Sequence, residues 1–193
     1  RIANDANCFA LSEAVDGAGK GAHTVFGVIL GTGVGAGVVI NGQSLNGLHA
    51  IAGECGHNPL PWPEDDERPG RLCYCGKRGC IETWLSGPGI AANFGDGTTA
   101  TIEIVKRAEA GDAVAEAYIQ RVEDRLARAL ATAINILDPD VIVLGGGVSN
   151  IARLYGNVPK LLPKYVFSEF VETRIAQNIH GDSSGVRGAA WLW

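Results

Sequence analysis

Three features of the chain predict an α/β fold. The β-branched, apolar runs Thr24–Leu30 and Val141–Leu144 read as buried strands, and each runs into glycine. Between them, Ala113–Leu137 repeats apolar residues at three and four (Ile119, Val122, Leu126, Leu130, Ala133, Ile134, Leu137), the pattern of a long amphipathic helix. A loop-rich run, His57–Glu82, holds His57, Cys73, Cys75 and Cys80. Together they predict a mixed sheet with flanking helices and a metal-bound loop, within a length of 193 residues that supports one substantial core or two small ones.

The elements follow in order. Arg1–Ala3 read as the end of a strand. Asn4-Asp5-Ala6-Asn7 is a polar turn suited to capping a helix over Cys8–Val15 that stops at Gly17. After the strand Thr24–Leu30, Gly31–Gly37 reads as a glycine turn, with strand resuming over Gly37–Ile40 and a hairpin signal at Asn41-Gly42. Pro61–Glu67 is an acidic, proline-containing stretch, and the excursion Pro63–Gly70 reads as a solvated loop. Ile102–Ala110 reads as a helix. The long helix follows, with Arg121, Glu123, Asp124 and Arg128 off its apolar stripe, and Asp138-Pro139 stops it. Beyond Val141–Leu144 the pattern gives a helix over Ile151–Leu162, a strand near Thr173–Ile179 and a last helix over Ser184–Trp193.

Composition bounds the function. Hydrophobic residues make up 46% and charged residues 19%, as in ordinary globular proteins. A net charge of -5 without a Lys/Arg cluster argues against a nucleic-acid surface. No apolar run is long enough to span a bilayer. No targeting segment is visible, and a reducing, cytoplasmic compartment fits. With 0 Met and an opening on RIANDAN, the chain is expected to be a piece of a longer protein.

His57, Cys73, Cys75 and Cys80 form a Cys3His set that tetrahedral zinc accepts, with glycines at 76 and 79 where a metal knuckle turns. Five cysteines without a signal peptide argue against a disulfide framework. Cys8 reads as core and Cys55 as a spectator. Glu54 and Glu82 bracket the cluster as a frame for a polar ligand.

Three further motifs have two readings each. Gly31-Thr32-Gly33-Val34-Gly35-Ala36-Gly37 offers a nest of amides for phosphate, or a turn that is glycine-rich for steric reasons. It has neither the Lys-Ser/Thr of a P-loop nor the helix of a dinucleotide fingerprint. Gly145-Gly146-Gly147 follows a strand end, where ligands approach open α/β sheets, or serves tight strand–helix packing. Asp5 is a helix cap, or a carboxylate that takes a proton from a substrate hydroxyl; from the residues alone the cap is favoured.

These motifs, with Gly53-Glu54-Cys55-Gly56-His57, Cys73–Glu82, Asn58–Trp62 and Gly181–Ala190, stand in the order found in the ROK family of sugar kinases, and the resemblance covers essentially the whole chain. The likeness is greatest to bacterial fructokinases of the manno(fructo)kinase type. The resemblance implies a lobe of the actin-like, ribonuclease-H-like ATPase fold. It implies Asp5 as general base, Asn4, Glu54, His57 and Glu82 as sugar-binding residues, and His57 serving twice, one ring nitrogen on zinc and one toward the sugar. It places Gly31, Thr32 and Gly33 at phosphate and Gly145, Gly146 and Gly147 at adenosine, makes zinc structural, and has Mg²⁺ travel with ATP. The expected reaction is ATP-dependent phosphorylation of a hexose, fructose to fructose 6-phosphate. Glucose, mannose or N-acetylglucosamine, or a sugar-sensing regulator of the same family, are the alternatives. The family's N-terminal phosphate loop is absent, so residues 1–193 are expected to be the C-terminal lobe, inactive alone, with helix 184–193 packing on the missing lobe. A homodimer is expected of the full-length protein. Cys55 stands where a bulkier apolar residue is common, and the 63–70 stretch lengthens the metal loop.

Overall fold

The computed structural model describes residues 3–191. A five-stranded sheet forms the centre, in the order β3-β2-β1-β4-β5. Its strands are β1 (Thr24–Leu30), β2 (Val34–Ile40), β3 (Gln43–Ser44), β4 (Val141–Gly145) and β5 (Arg174–Gln177). Strands β1, β4 and β5 run parallel, while β2 and β3 are antiparallel to their neighbours. The expected mixed sheet is therefore present.

Helices cover both faces because the strands alternate. Val25, Val39, Val141 and Val143 face α1 (Asp5–Asp16) and share a core with Phe9, Ala10 and Leu11. Phe26, Val28, Leu30, Ile142 and Leu144 face the other way, into the larger core built on α5 (Ala113–Leu137). Two strand glycines let α1 lie close to the sheet. A Cβ on Gly37 would stand 2.6 Å from Ala6 O, and one on Gly27 2.8 Å from the Ala10 Cβ. This is why the glycine turn is shorter than expected. β2 begins at Val34, paired with Leu30, so only Gly31–Gly33 turn. Gly35 and Gly37 are strand residues, and Gly37 is kept small by the packing of α1. The Asn41-Gly42 hairpin is as expected, with φ of 52° and 73°, as a type I′ turn requires.

The helix α1 starts earlier than its apolar pattern. Asn4 is its cap, with Oδ1 accepting the Ala6 N–H at 2.7 Å, and Asp5 is the first helical residue. The long helix α5 has the expected bounds. Asp112 caps it by accepting from the N–H groups of Val114 and Ala115, and Asp138 ends it at φ 46°. The helix α4 (Thr101–Glu109) precedes it. The helix expected over Ile151–Leu162 is confined to α6 (Leu154–Leu161), with 3-10 turns at Gly147–Asn150 and Leu162–Lys164. Two short helices went unrecognised, α2 (Glu82–Leu85) and α3 (Gly87–Ala92), because one turn carries no periodicity. The last helix, α7 (Ser184–Ala190), packs on α1 through Gly188, where a Cβ would overlap the Cys8 carbonyl. Val186, Ala189, Ala190 and Trp191 are exposed. The strand end expected at Arg1 and Ile2, and the helix residues Leu192 and Trp193, lie outside the described residues.

The largest departure concerns the acidic excursion, which is docked rather than solvated. Glu67 is buried, and its carboxylate accepts from Arg125 Nε (2.7 Å), Arg128 Nη1 (2.8 Å) and Arg128 Nη2 (2.9 Å). Arg128 also donates to the carbonyls of Pro61 and Trp62, and the Arg125 guanidinium lies 4.5 Å from the centre of the Trp84 ring. Glu123 and Arg128, expected on a polar face of α5, are buried; Glu123 accepts from Arg153 Nε at 2.6 Å. Burial alone would raise the Glu67 carboxyl, but the hydrogen bonds from Arg128 and Arg125 outweigh it and hold the group at about 2. Buried charges of this kind persist only when paired.

Candidate functional site

The site gathers at the C-terminal ends of β1 and β4, adjacent parallel strands. Gly31 and Thr32 leave β1, and Gly146 and Gly147 leave β4. A cleft of about 600 Å³ opens there, lined by Gly31, Thr32, Gly147 and Val148, with Ile102 and Lys106 of α4 forming its far wall. Gly146 faces an adjoining cavity of about 360 Å³, whose other walls include Asp5, Phe9, Ile29 and Ser184. The motifs at the start of the chain, after β1 and after β4 thus converge on one edge of the sheet, where ligands of open α/β sheets bind.

The six glycine-motif residues do not all reach that cleft. Gly31, Thr32 and Gly147 line it. Gly145 is buried, and a Cβ there would stand 2.5 Å from the Phe9 ring. Gly146 has φ 80° and approaches Leu30 O. Packing and backbone conformation therefore account for Gly145 and Gly146. Gly147, with open space around it, and Gly31, where a Cβ would make only an ordinary contact with Ile29 at 3.8 Å, owe nothing to packing. Gly33 turns instead toward Glu82, where a Cβ would meet Oε2 at 2.5 Å.

Glu54, His57 and Glu82 come together through the backbone of β2. Glu82 opens α2, and its Oε2 accepts the Val34 N–H at 2.9 Å, while its own N–H donates to Gly56 O at 2.9 Å. Glu54 Oε1 accepts the Gly56 N–H at 3.0 Å. The two carboxylates and His57 therefore share one ledge. The N-terminus of α1 lies over the same end of β2, since the Ala6 Cβ is 3.6 Å from where a Gly35 Cβ would stand. Asn4 and Asp5 are exposed there, and Asp5 Oδ1 accepts the Ala6 N–H at 2.8 Å.

The Cys3His set forms as expected. The ligand atoms of His57, Cys73, Cys75 and Cys80 all lie within 4.8 Å of one another. Cys73 Sγ is 3.5 Å from His57 Nδ1, and Cys75 Sγ is 3.6 Å from Cys80 Sγ. A tetrahedral ion with bonds of 2.3 Å to sulfur separates its sulfurs by about 3.8 Å, so the donors fit. Burial pushes the Cys80 thiol up to about 12, helped by Cys75 and Cys73, while the Lys77 backbone amide lowers Cys75. Crowded thiols that resist joint ionisation are stabilised as thiolates by a cation. All five cysteines are free of disulfides. Cys8 is buried in the core as expected, and Cys55 is half-buried, its thiol raised to about 12 by burial and by Glu54.

Three residues of the site were missed in the sequence. Tyr74 hydroxyl pairs with His57 Nε2 at 2.8 Å, and its ring meets the imidazole edge-on at 4.9 Å. Tyr74 is largely exposed, and partial desolvation of its hydroxyl, then the charges of Glu82, Cys73 and Glu54, raise it. The second nitrogen of His57 thus already has a partner. Asn7 is buried on α1, with Nδ2 3.4 Å from Asn46 Oδ1. Its signal was a polar side chain inside an apolar helix. Lys106 carried no signal, because a lysine on an amphipathic helix is ordinary.

No helix among the described residues is long and apolar enough to cross a membrane. The sheet and helices match those of solved sugar kinases. An ROK hexokinase from Thermus thermophilus superposes with a TM-score of 0.84 at 30% identity, over 97% of this chain and 62% of that one. A glucokinase from Streptomyces griseus, solved with glucose and AMPPNP, gives 0.83 at 28% identity, over 99% of this chain and 67% of that one. An ROK transcriptional regulator, homologous to the MLC protein of E. coli, gives 0.81 at 27% identity, over 98% of this chain and 50% of that one. Among curated proteins, the N-acetyl-D-glucosamine kinase of Aliivibrio salmonicida is 45% identical over 100% of this chain and 66% of its own length. That of Yersinia pseudotuberculosis is 43% identical over the same shares. The chain therefore spans just under two thirds of these curated relatives. The fold is the actin-like lobe expected, and the profile of the ROK family matches residues 1–193, so the chain belongs to the ROK family.

Proposed function

We propose that this chain is the greater part of an ATP-dependent sugar kinase whose sugar is N-acetylglucosamine. The observation that carries the reading is the convergence of the β1 turn, the β4 turn and Asp5 at one end of the sheet, where Gly147 lines one cavity and its neighbour Gly146 lines, with Asp5, another. Phosphoryl transfer is catalysed by positioning and electrostatics, so it requires such a cleft more than any covalent chemistry. Gly31, Thr32 and Gly147 hold the nucleotide, with the backbone amides of Thr32 and Gly147 toward phosphate, while the Gly31 N–H closes the turn by donating to Gly33 O at 2.9 Å. Mg²⁺ accompanies ATP and offsets charge on the phosphates. Glu54, Glu82 and Asn4 bind sugar hydroxyls, and His57 joins them when its Nε2 exchanges the Tyr74 hydroxyl for one of the sugar's. Asp5 accepts the proton of the attacking hydroxyl; its oxygen bonds to the γ-phosphorus as the bond to the β,γ-bridging oxygen breaks, and ADP leaves. Zinc fits the Cys3His set, where His57, Cys73, Cys75 and Cys80 would fix the loop that presents the His57 ring.

Fructose was the expected substrate, but the curated relatives described above are N-acetyl-D-glucosamine kinases. A second reading is a sugar-sensing regulator, favoured by the likeness to the MLC-type protein. An assay coupled to ADP release on the full-length protein separates these readings. The panel is N-acetylglucosamine, glucose, mannose and fructose, with Asp5→Asn as control. Turnover of N-acetylglucosamine that falls about 10²–10⁴-fold in the variant is expected for loss of a general base. Preferred turnover of fructose would restore the first expectation. Sugar binding without turnover would favour the regulator.

A further inference from the structure

The far wall of the cleft beyond β1 and β4 carries charges that the proposed chemistry does not use. Ile102, Lys106 and Glu109 of α4 all line the cleft, and their spacing of four and then three residues puts them on one stripe of the helix. Lys106 and Glu109 are exposed, and neither has an ion-pair partner among the described residues, whereas their neighbour Arg107 is bound to Asp112 at 2.6 Å. The N-terminus of α4 is registered against the β1 turn. The Thr101 hydroxyl donates to Gly87 O at 2.7 Å, and the Gly87 N–H donates to Gly31 O at 2.8 Å. At about 1.5 Å per residue, Lys106 lies about 8 Å and Glu109 about 12 Å further along the helix. The space between α4 and the turn after β4 is apolar, lined by Ile102 and Val105 of the helix and by Val148 and Ile151 of the turn and its end.

With this cleft as the nucleotide site of the kinase proposed above, on which the assignment rests, we propose that α4 reads the nucleoside. Glu109 selects adenine over 6-oxopurines, and Lys106 holds the ribose and α-phosphate. The register of α4 sets that order. Phosphate lies at the β1 and β4 turns, so a nucleotide extended along the cleft passes its sugar and then its base beside successive turns of the helix. The apolar side chains receive the flat faces of the base, which carry no hydrogen-bonding groups. The edge of the base is left to Glu109. A carboxylate only accepts hydrogen bonds. Adenine presents its N6 amino group as a donor, whereas guanine and hypoxanthine present an O6 acceptor at the same position. Glu109 therefore attracts the first and repels the other two. Lys106 only donates, and it meets oxygens that all purine nucleotides share. The two residues thus have separable effects: Lys106 acts on affinity for every nucleotide, and Glu109 on the choice between bases.

Titration calorimetry of the full-length protein with Mg²⁺ and either ATP or ITP tests the proposal. ITP replaces the N6 amine with O6 and leaves the ribose and phosphates unchanged. ATP is expected to bind about 10–100-fold more tightly, the discrimination carried by one good base contact. The amide of Glu109→Gln can donate to O6 as well as accept from N6, so this variant is expected to bring the two nucleotides within about threefold of each other. Lys106→Met is expected to weaken both about tenfold and to leave their ratio unchanged. Glu103→Gln, on α4 but outside the cleft lining, is expected to alter neither. All three positions are exposed, so the circular dichroism spectra should match that of the parent. Equal binding of ATP and ITP by the parent would overturn the assignment, as would a ratio that survives Glu109→Gln or falls equally with Glu103→Gln. Unchanged affinities in Lys106→Met would overturn its part. Failure to bind either nucleotide would overturn the assignment together with the kinase reading. A preference for ATP that depends on Glu109, without sugar turnover in the ADP-release assay, would uphold the assignment while the kinase reading fails.

Discussion

Replacing Glu67 with glutamine tests the claim that the acidic excursion is held by a buried charge cluster. The side chain keeps its shape but loses the charge that balances Arg125 and Arg128, both buried. The carboxyl sits at about 2 against an ordinary value of 4.5, and that gap corresponds to about 3 kcal/mol of favourable interaction. Removing one partner of a buried pair costs about 3–5 kcal/mol by other measurements, in agreement. The melting temperature should fall by about 6–12 °C for a chain of this size. The pH dependence carries the sharper signature. Because the folded-state value lies below the unfolded one, the unfolded chain takes up the proton first on acidification. The stabilisation is complete above about pH 5 and is lost as pH falls toward about 2. Glu116 is also held at about 2, by Arg153, and titrates in the same window in both proteins. The difference between parent and variant therefore isolates Glu67. Urea unfolding followed by tryptophan fluorescence, at pH 7 and in steps down to pH 3, measures it. A variant within 1 kcal/mol of the parent at pH 7, or one with the same acid slope, would refute the reasoning.

Three further outcomes follow from the same structure. Gly188→Ala is expected to separate α7 from α1, since its Cβ would overlap the Cys8 carbonyl, at a cost of about 1–3 kcal/mol in urea unfolding. The β4 turn should discriminate between neighbouring glycines. Gly146→Ala should destabilise, because φ is 80° and a Cβ would stand 2.6 Å from Leu30 O, whereas Gly147→Ala should fold normally and show any defect only in nucleotide affinity, measured by calorimetry. Cys80→Ser should lower bound zinc from about one equivalent toward zero by elemental analysis, and chelation of the parent should lower its melting temperature. A parent that carries no zinc after purification in zinc-containing medium would remove the metal from the proposal.

Much of this architecture was legible because its signals are local. The apolar repeat over Ala113–Leu137 defined α5 to the residue, since a long helix averages out its exceptions. The strand Thr24–Leu30 and the Asn41-Gly42 turn were legible for the same reason. The spacing of His57, Cys73, Cys75 and Cys80 marked a metal-type loop, and the fold brings those donors together. Sequence alone thus determined the fold class, the long helix and the Cys3His set, all of which depend on residues close in the chain or on chemistry that few residue types share. Only the tertiary structure decided the roles of residues whose partners lie far away. Gly37 looked like part of a phosphate loop and proved to be the floor beneath α1, because closeness of a distant helix leaves no trace in the strand itself. Glu67 looked solvated and is buried, because the arginines that stabilise it lie on α5 and are indistinguishable there from surface charges. Charge and glycine carry no meaning until the neighbour is known, and it is the packing of the two faces of the sheet that supplies the neighbour.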